Sequence, residues 1–525
     1  MESIYSTCLF TILVSQFIIG FSASQVQGLG KTYRNPFFNA AYSNQSMVGD
    51  EVDLGCTTFL AAGNATRDGS IILAKNRDLD EFEAQWLYYS PRQYHPPGSR
   101  VQLQYIEIPQ TEVTWAWVGF KSYTLKWGVG MGINEWGVAV ADNDAPTREP
   151  LAEQRGLHDN DVCRLILERA ETAYEGMRIA GVLLEQYGHS YVGQVYWVAD
   201  AKECWILEGA GRHWAAVKVV NGFEVRANQF QITTFWDAAS PDLVEYTVRQ
   251  GWCTSADDFS FAECYSGAGY PYQSSQTRYT RVQQLLGAKA GNITLGDMML
   301  ILADHYEDTV MYHQPPHDNK EYRTVCCRQT VAAMVAHLRP WQPRQLQLMW
   351  CCMSNPCISV FTPVYASTSA ILKPYLTGTG ARDMSGYNPE SAWWRFKRLQ
   401  TLVDKGYSWR LPAVRERWAN LYAEERSGTA ELEQHVLGLI DEERFENAED
   451  AVNAFVNTWL SRAYTVCGEL TEALTQNPPP WGENWTPYLL IGAALIVLFT
   501  AVLYLKKKRT RASSRFQPDR SLMYS

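Results

Sequence analysis

The sequence predicts an α+β protein. It should fold as a layered sandwich in one large domain, followed by a helical C-terminal region and a single transmembrane helix. Three observations predict this. The first half of the 525-residue chain carries short β-branched and aromatic runs in pairs, separated by Gly, Asn and Asp. From Pro389 to about Glu472 the pattern turns helical. Residues 488–505 are apolar and uncharged, and Lys506-Lys507-Lys508-Arg509 follows at once. Helices that flank long antiparallel strands bury their apolar stripes by stacking in layers.

Taken in order, residues 8–21 (CLFTILVSQFIIGF) and the small residues Ser22, Ala23 and Ser24 have the size and order of a secretory signal peptide, although its first seven residues hold Glu2 and no base. This predicts a signal peptide at 1–24. Strands are predicted at 70–75, 101–108, 113–120, 129–133, 137–141, 195–199 and 204–208, and helices at 161–170 and 172–187. The C-terminal helices carry Trp393, Trp394, Phe396, Leu399, Val436 and Leu439 at apolar positions. Asn477-Pro478-Pro479-Pro480 ends them, so 476–487 is read as a linker, 488–505 as the span and 506–525 as a basic cytoplasmic tail.

Charge follows the same division. The chain carries −10 overall, but seven bases and one acid after Leu505 make the tail +6 and leave −16 on residues 1–505. Such acidity excludes nucleic acid as a partner, since phosphate binding needs a basic face. The polarity predicts a single-pass type I protein. Its bulk would lie outside the cell or in the lumen of a secretory or lysosome-like compartment.

Twelve cysteines point to an oxidising compartment. With Cys8 in the signal and Cys56 set aside, ten remain and are expected to pair, with connectivity open. A metal site is not expected. Cys326-Cys327 and Cys351-Cys352 are adjacent pairs, which supply two tetrahedral ligands to one metal with difficulty, and C-x-x-C spacing is absent. His313 and His317 have helical ligand spacing, but Pro315-Pro316 between them forbids the helix. Sequons at Asn44, Asn64, Asn292 and Asn484 predict glycosylation, with poor use expected at Asn484, which is followed by Pro487 and lies next to the predicted span.

The most informative stretch is Gly55-Cys56-Thr57-Thr58-Phe59, a turn at Asp68-Gly69, then a strand ending in Lys75-Asn76-Arg77-Asp78. A hairpin would return this polar cluster to Cys56. There Lys75 or Arg77 would favour a thiolate, and Asp78 could hold an ammonium or guanidinium in place. This pattern resembles the dipeptidase/secernin family of cysteine-type N-terminal-nucleophile (Ntn) hydrolases, relatives of bile salt hydrolase and penicillin V acylase. Further segments match in family order. They are Gly132-Ile133-Asn134-Glu135 running to Asp142-Asn143-Asp144, Glu208-Gly209-Ala210-Gly211-Arg212-His213-Trp214, Ala227-Asn228-Gln229-Phe230, and Thr277-Arg278-Tyr279. Tyr322-Arg323 and Phe361-Thr362-Pro363-Val364-Tyr365 recur there too.

The resemblance covers about 56–475 and implies a four-layer αββα Ntn-hydrolase sandwich. It implies Cys56 as nucleophile, Asn143 and Asn228 as oxyanion donors and Arg278 as an active-site arginine, with no cofactor. One departure stands out. Cys56 lies 32 residues past the cleavage site expected after Ser24, so residues 25–55 become a propeptide whose removal frees the Cys56 amine. That amine, with an ordinary pKa of ~7.7–8.0, can serve as the base for its own thiol. The implied substrate is a dipeptide or small amide with a free N-terminus, its ammonium recognised by acidic residues that the sequence does not name. Homo-oligomerisation is left open. Three other readings compete. One is an acylase-type amidase, and another is a papain-like Cys–His enzyme, for which none of the nine histidines sits in a recognisable partner motif. The third is a catalytically inactive surface protein on the same fold.

Overall fold

In the computed structural model, the described residues are 55–476, apart from 153, 320, 381 and 382. Two antiparallel sheets dominate. In the six-stranded sheet the order is Gly222–Arg226, Thr57–Ala62, Ile71–Asp78, Thr330–Leu338, Leu348–Met353 and Phe361–Tyr365. The central hairpin forms because two apolar runs flank Asp68-Gly69, where Gly69 takes a φ of +81° and Asp68 Oδ1 accepts the Ser70 N–H at 3.0 Å. Its register sets Thr57 opposite Asn76 and Thr58 opposite Lys75, so the polar end of the second strand does return to Cys56.

The eight-stranded sheet runs Ala238–Ala239, His213–Val219, Cys204–Ala210, Gly193–Ala199, Ala139–Ala145, Met131–Asn134, Trp117–Ser122 and Gln85–Ser90. Phe59, Ala61 and Leu73 of the first sheet share one apolar core with Ala141, Trp197 and Ile206 of the second. The far side of the second sheet buries Val140, Tyr196, Val198 and Leu207 under helices Asp159–Arg169 and Ala173–Tyr187. Caps fix both ends of the latter helix. Thr172 accepts the Glu175 N–H, and Gly188 closes it at a φ of +68°. Helices Gln273–Gly287 and Leu295–Leu302 contact the first sheet, as do Ala392–Asp404 and Phe445–Gln476, the latter paired with Tyr407–Asp441.

Two expectations are corrected. The described fold contains no transmembrane helix, so the structure does not support that element of the fold class or the single-pass localisation. Among the described residues no helix is long and apolar enough to cross a membrane. Tyr407–Asp441 and Phe445–Gln476 have the length, but charged residues such as Arg415, Glu424, Arg426 and Asp450 punctuate them. The segment 488–505 lies outside the described residues. So do the signal peptide, residues 25–54 of the propeptide, most of the linker and the tail, together with the sequons Asn44 and Asn484.

The second correction concerns the cysteines. Cys253–Cys264 is the one disulfide among the described residues, and Cys163, Cys204, Cys326, Cys327, Cys351, Cys352, Cys357 and Cys467 are buried thiols. Strand geometry accounts for part of this, since adjacent Cys351 and Cys352 point to opposite faces of one strand. Strand 101–108 also divides, into the short ladder of Arg100–Gln102 with Glu107–Pro109.

One buried acid weakens this fold in a pH-dependent way. Glu425 is fully buried, neither carboxylate oxygen has a hydrogen-bond partner among the described residues, and burial raises its pKa well above the ordinary value. The folded state therefore keeps the proton while the unfolded chain releases it above about pH 4.3. Stability should fall by about 1.4 kcal/mol per pH unit from there up to the folded pKa. Glu425→Gln is expected to melt a few degrees above the parent at pH 8 and level with it near pH 4. Thermal denaturation at the two pH values tests this, and a constant offset would contradict it.

Candidate active site

Cys56 stands half-buried immediately before the strand Thr57–Ala62. Two arginines grip the peptide backbone on either side of its Cα. Arg278, fully buried on helix Gln273–Gly287, donates from Nη1 to the Cys56 carbonyl and to Thr57 Oγ1, both at 2.9 Å. Its Nη2 donates to Asn228 Oδ1 at 2.8 Å. Arg323 Nη2 donates to the Gly55 carbonyl at 2.7 Å and to Asp78 Oδ2 at 3.0 Å. Asp78 is anchored in turn by Thr330 Oγ1 at 2.7 Å.

The Asn228 amide sits against Gly55, its Nδ2 donating to the Asp144 carbonyl at 2.9 Å. A Cβ at position 55 would lie 2.1 Å from Asn228 Oδ1, so only glycine fits there. Glu208 fixes the segment that carries Asn228. One carboxylate oxygen accepts Arg226 Nε at 2.8 Å, and the other accepts the N–H groups of Gln231 and Ile232 at 2.8 and 2.9 Å. Asn143 accepts Trp197 Nε1 at 3.0 Å, and its Nδ2 is a buried donor without a partner among the described residues.

Lys75 is fully buried, ion-paired with Asp142, and donates to the Gly130 carbonyl at 3.1 Å. Burial works against its ammonium, but Asp142 and Cys56 outweigh burial and hold its pKa above the usual value. Arg77 donates to Asn160 Oδ1 at 2.8 Å, and its guanidinium fills the space where a Cβ at Gly130 would stand. Burial pushes the Cys56 thiol up to about 11. Lys75 opposes this, while Asp78 and Asp142 add to it. The lysine therefore does not produce a thiolate. At neutral pH the sulfur keeps its proton, and the groups acting most strongly on it include no histidine. A thiol in this state would need a separate base to act as a nucleophile. In the uncleaved chain the Cys56 nitrogen is an amide and cannot be that base.

The structure thus brings Cys56, Lys75, Asp78, Asn228 and Arg278 together, with Arg77 and Asn143 on the adjoining buried surface. Sequence reasoning did not assign Arg323, Asp142 or Asp144 to the site. In the sequence Arg323 belongs to the recurring Tyr322-Arg323 motif, and Asp142 and Asp144 flank Asn143, so the signal is present but carries no geometry. Burial and then the charge of Asp159 raise the Asp144 carboxyl to about 7, while Gln194 Nε2 donates to it at 2.5 Å.

The family model for peptidase family C69 matches residues 55–420. A probable dipeptidase of Salmonella dublin is 24% identical over 353 residues, covering 59% of this chain and 81% of that protein. A probable dipeptidase B of Lactococcus lactis subsp. lactis (strain IL1403) is 23% identical over 396 residues, covering 67% and 82%. Among solved structures, penicillin V acylase from Agrobacterium tumefaciens aligns at 14% identity, with a TM-score of 0.33 over 59% of this chain and 86% of that one. A mutant conjugated bile acid hydrolase from Clostridium perfringens aligns at 12% identity and a TM-score of 0.35, covering 59% and 92%.

Proposed function

The chain belongs to peptidase family C69, cysteine-type peptidases, and from that premise we propose that it hydrolyses dipeptides through Cys56 once cleavage of the Gly55–Cys56 bond has freed its amine. The observation that carries this reading is the pair of arginines on that peptide bond, Arg323 on the Gly55 carbonyl and Arg278 on the Cys56 carbonyl, beside a thiol that burial keeps neutral.

Removal of Gly55 converts the Cys56 nitrogen from an amide into an amine able to take the thiol proton. The sulfur then attacks the substrate carbonyl carbon, and the carbonyl oxygen becomes an oxyanion. Asn143 Nδ2 is an unspent buried donor suited to that oxyanion, and Asn228 lines the place that Gly55 vacates. The protonated amine returns its proton to the leaving amine as the C–N bond breaks. Water then hydrolyses the thioester, releasing the acyl product as a carboxylic acid and restoring the thiol. Arg278 acts as a positioning residue, holding Cys56 and Asn228 in one frame. Asp144, whose backbone carbonyl accepts Asn228 Nδ2, is assigned to the substrate's α-ammonium, whose charge would favour the ionised form of its raised carboxyl.

N-terminal sequencing of the purified mature protein, with an assay on free and N-blocked dipeptides, tests the reading. A chain starting at Cys56 and hydrolysis restricted to free dipeptides support it. An active chain with Cys56 still internal would overturn it. Gly55→Ala gives a sharper prediction, because the added Cβ collides with Asn228 Oδ1. Intact-mass measurement is expected to find the uncleaved chain accumulating, with maturation slowed at least about tenfold. Processing at the parent rate would contradict the packing argument.

A further inference from the structure

We propose that the protein holds a structural Zn²⁺ ion in a buried site formed by His305, His317, Cys326 and Cys357. The four side chains come from separate segments. His305 follows helix Leu295–Leu302, and His317 lies in the turn Pro316–Asp318. Cys326 precedes strand Thr330–Leu338, and Cys357 lies between strands Leu348–Met353 and Phe361–Tyr365. All four are buried, and their ligand atoms lie within 4.8 Å of one another.

The three separations that involve His317 suit one tetrahedral ion. With Zn–N of about 2.05 Å and Zn–S of about 2.3 Å, tetrahedral angles require N···N of about 3.3 Å and N···S of about 3.6 Å. The two Nε2 atoms are 3.3 Å apart, and His317 Nε2 is 3.8 Å from Cys326 Sγ and 3.3 Å from Cys357 Sγ. Two imidazole Nε2 atoms facing each other in a dry interior, without an ion between them, would leave one hydrogen-bonding atom badly served.

The surrounding shell gives a second, independent sign. Each histidine turns its Nδ1 to a carboxylate, His305 to Glu307 Oε1 at 3.0 Å and His317 to Asp404 Oδ1 at 2.8 Å. This arrangement fixes the tautomer, with hydrogen on Nδ1 and a lone pair on Nε2 aimed at the common centre. Asn355 Nδ2 lies 3.7 Å from Cys326 Sγ, positioned to donate to a thiolate. On binding, each cysteine loses its S–H proton to solvent, and the two thiolates cancel the charge of the ion. The centre is then neutral, which suits complete burial.

Of the adjacent pair Cys326-Cys327 only Cys326 contributes a ligand, and of His313 and His317 only His317, so the site needs neither two neighbouring cysteines nor a helical histidine pair. Asp404 ends helix Ala392–Asp404, so the site joins the C-terminal helices to the loop running from His305 to Cys326. That loop carries Arg323, which reaches Gly55.

Metal analysis of the full-length protein tests this. The protein is expressed without added chelator and dialysed against metal-free buffer, and mass spectrometry of its elements is expected to find about one zinc per chain. Replacing zinc by Co²⁺ is expected to produce thiolate-to-cobalt charge-transfer absorption with the visible bands of tetrahedral cobalt. Cys357→Ser is expected to lower retained zinc at least tenfold. Should that variant fail to fold, the zinc content and cobalt spectrum of the parent still decide. A folded parent without stoichiometric metal would overturn the proposal. So would a Cys326–Cys357 disulfide found by non-reducing peptide mapping, or full zinc retention in folded Cys357→Ser.

Discussion

Cys56→Ala is expected to lose dipeptide hydrolysis by about 10⁴-fold or more in kcat/KM, because it removes the sulfur proposed to form the thioester. The fold should survive, since the side chain is small and only half-buried. Stability is expected to change by less than about 1 kcal/mol. Measuring kcat/KM on a free dipeptide together with the melting temperature separates the two effects. Activity within tenfold of the parent, in a chain confirmed to carry alanine, would refute the role of Cys56.

Arg278→Lys is the second large effect. The guanidinium satisfies three acceptors on two segments, Cys56 O and Thr57 Oγ1 on one and Asn228 Oδ1 on the other. A lysine ammonium is a point charge without the planar fork, so it cannot span Cys56 and Asn228 together. A misplacement of about 1 Å at the nucleophile costs roughly 10²-fold in rate. The expected result is a kcat lower by about that factor, with KM changed little. A merely structural arginine would instead lower stability and leave kcat per folded molecule intact. Arg278→Ala should also destabilise the protein, by about 3 kcal/mol, because it leaves buried acceptors unpaired. Steady-state kinetics corrected for the folded fraction distinguish these outcomes.

Much of the site could be read from the chain because its parts are local or carry a distinctive residue type. Cys56 opens a hairpin whose turn chemistry and strand lengths return Lys75 to it, and antiparallel register does the rest. The helices predicted at 161–170 and 172–187 match Asp159–Arg169 and Ala173–Tyr187, since their apolar period and the Thr172 cap are both local signals. Other motif residues do structural work that the linear sequence does not show. Asn76 is buried and donates to the carbonyls of Leu302 and Val325 at 2.8 and 2.7 Å, joining segments more than 200 residues away. Asn134 builds its own hairpin turn by accepting the N–H groups of Trp136 and Val138. Sequence alone does not separate such structural asparagines from Asn143, whose Nδ2 remains unspent.

What the sequence determined by itself was the hairpin that Cys56 opens and the paired-strand character of the domain, and it singled out Cys56 as the candidate nucleophile. These depend on periodicity, turn residues and short separations, which a linear reading contains. Tertiary structure alone decided how the charges and thiols are used. It paired Lys75 with Asp142 and set Arg323 on Gly55 from 268 residues away. It also left most of the cysteines among the described residues unbonded and gathered His305, His317, Cys326 and Cys357 around one point. The physical reason is burial. Whether a lysine activates a thiol, or a cysteine pairs or ligates, depends on distance, desolvation and the direction of a side chain, which exist only once the sheets have packed.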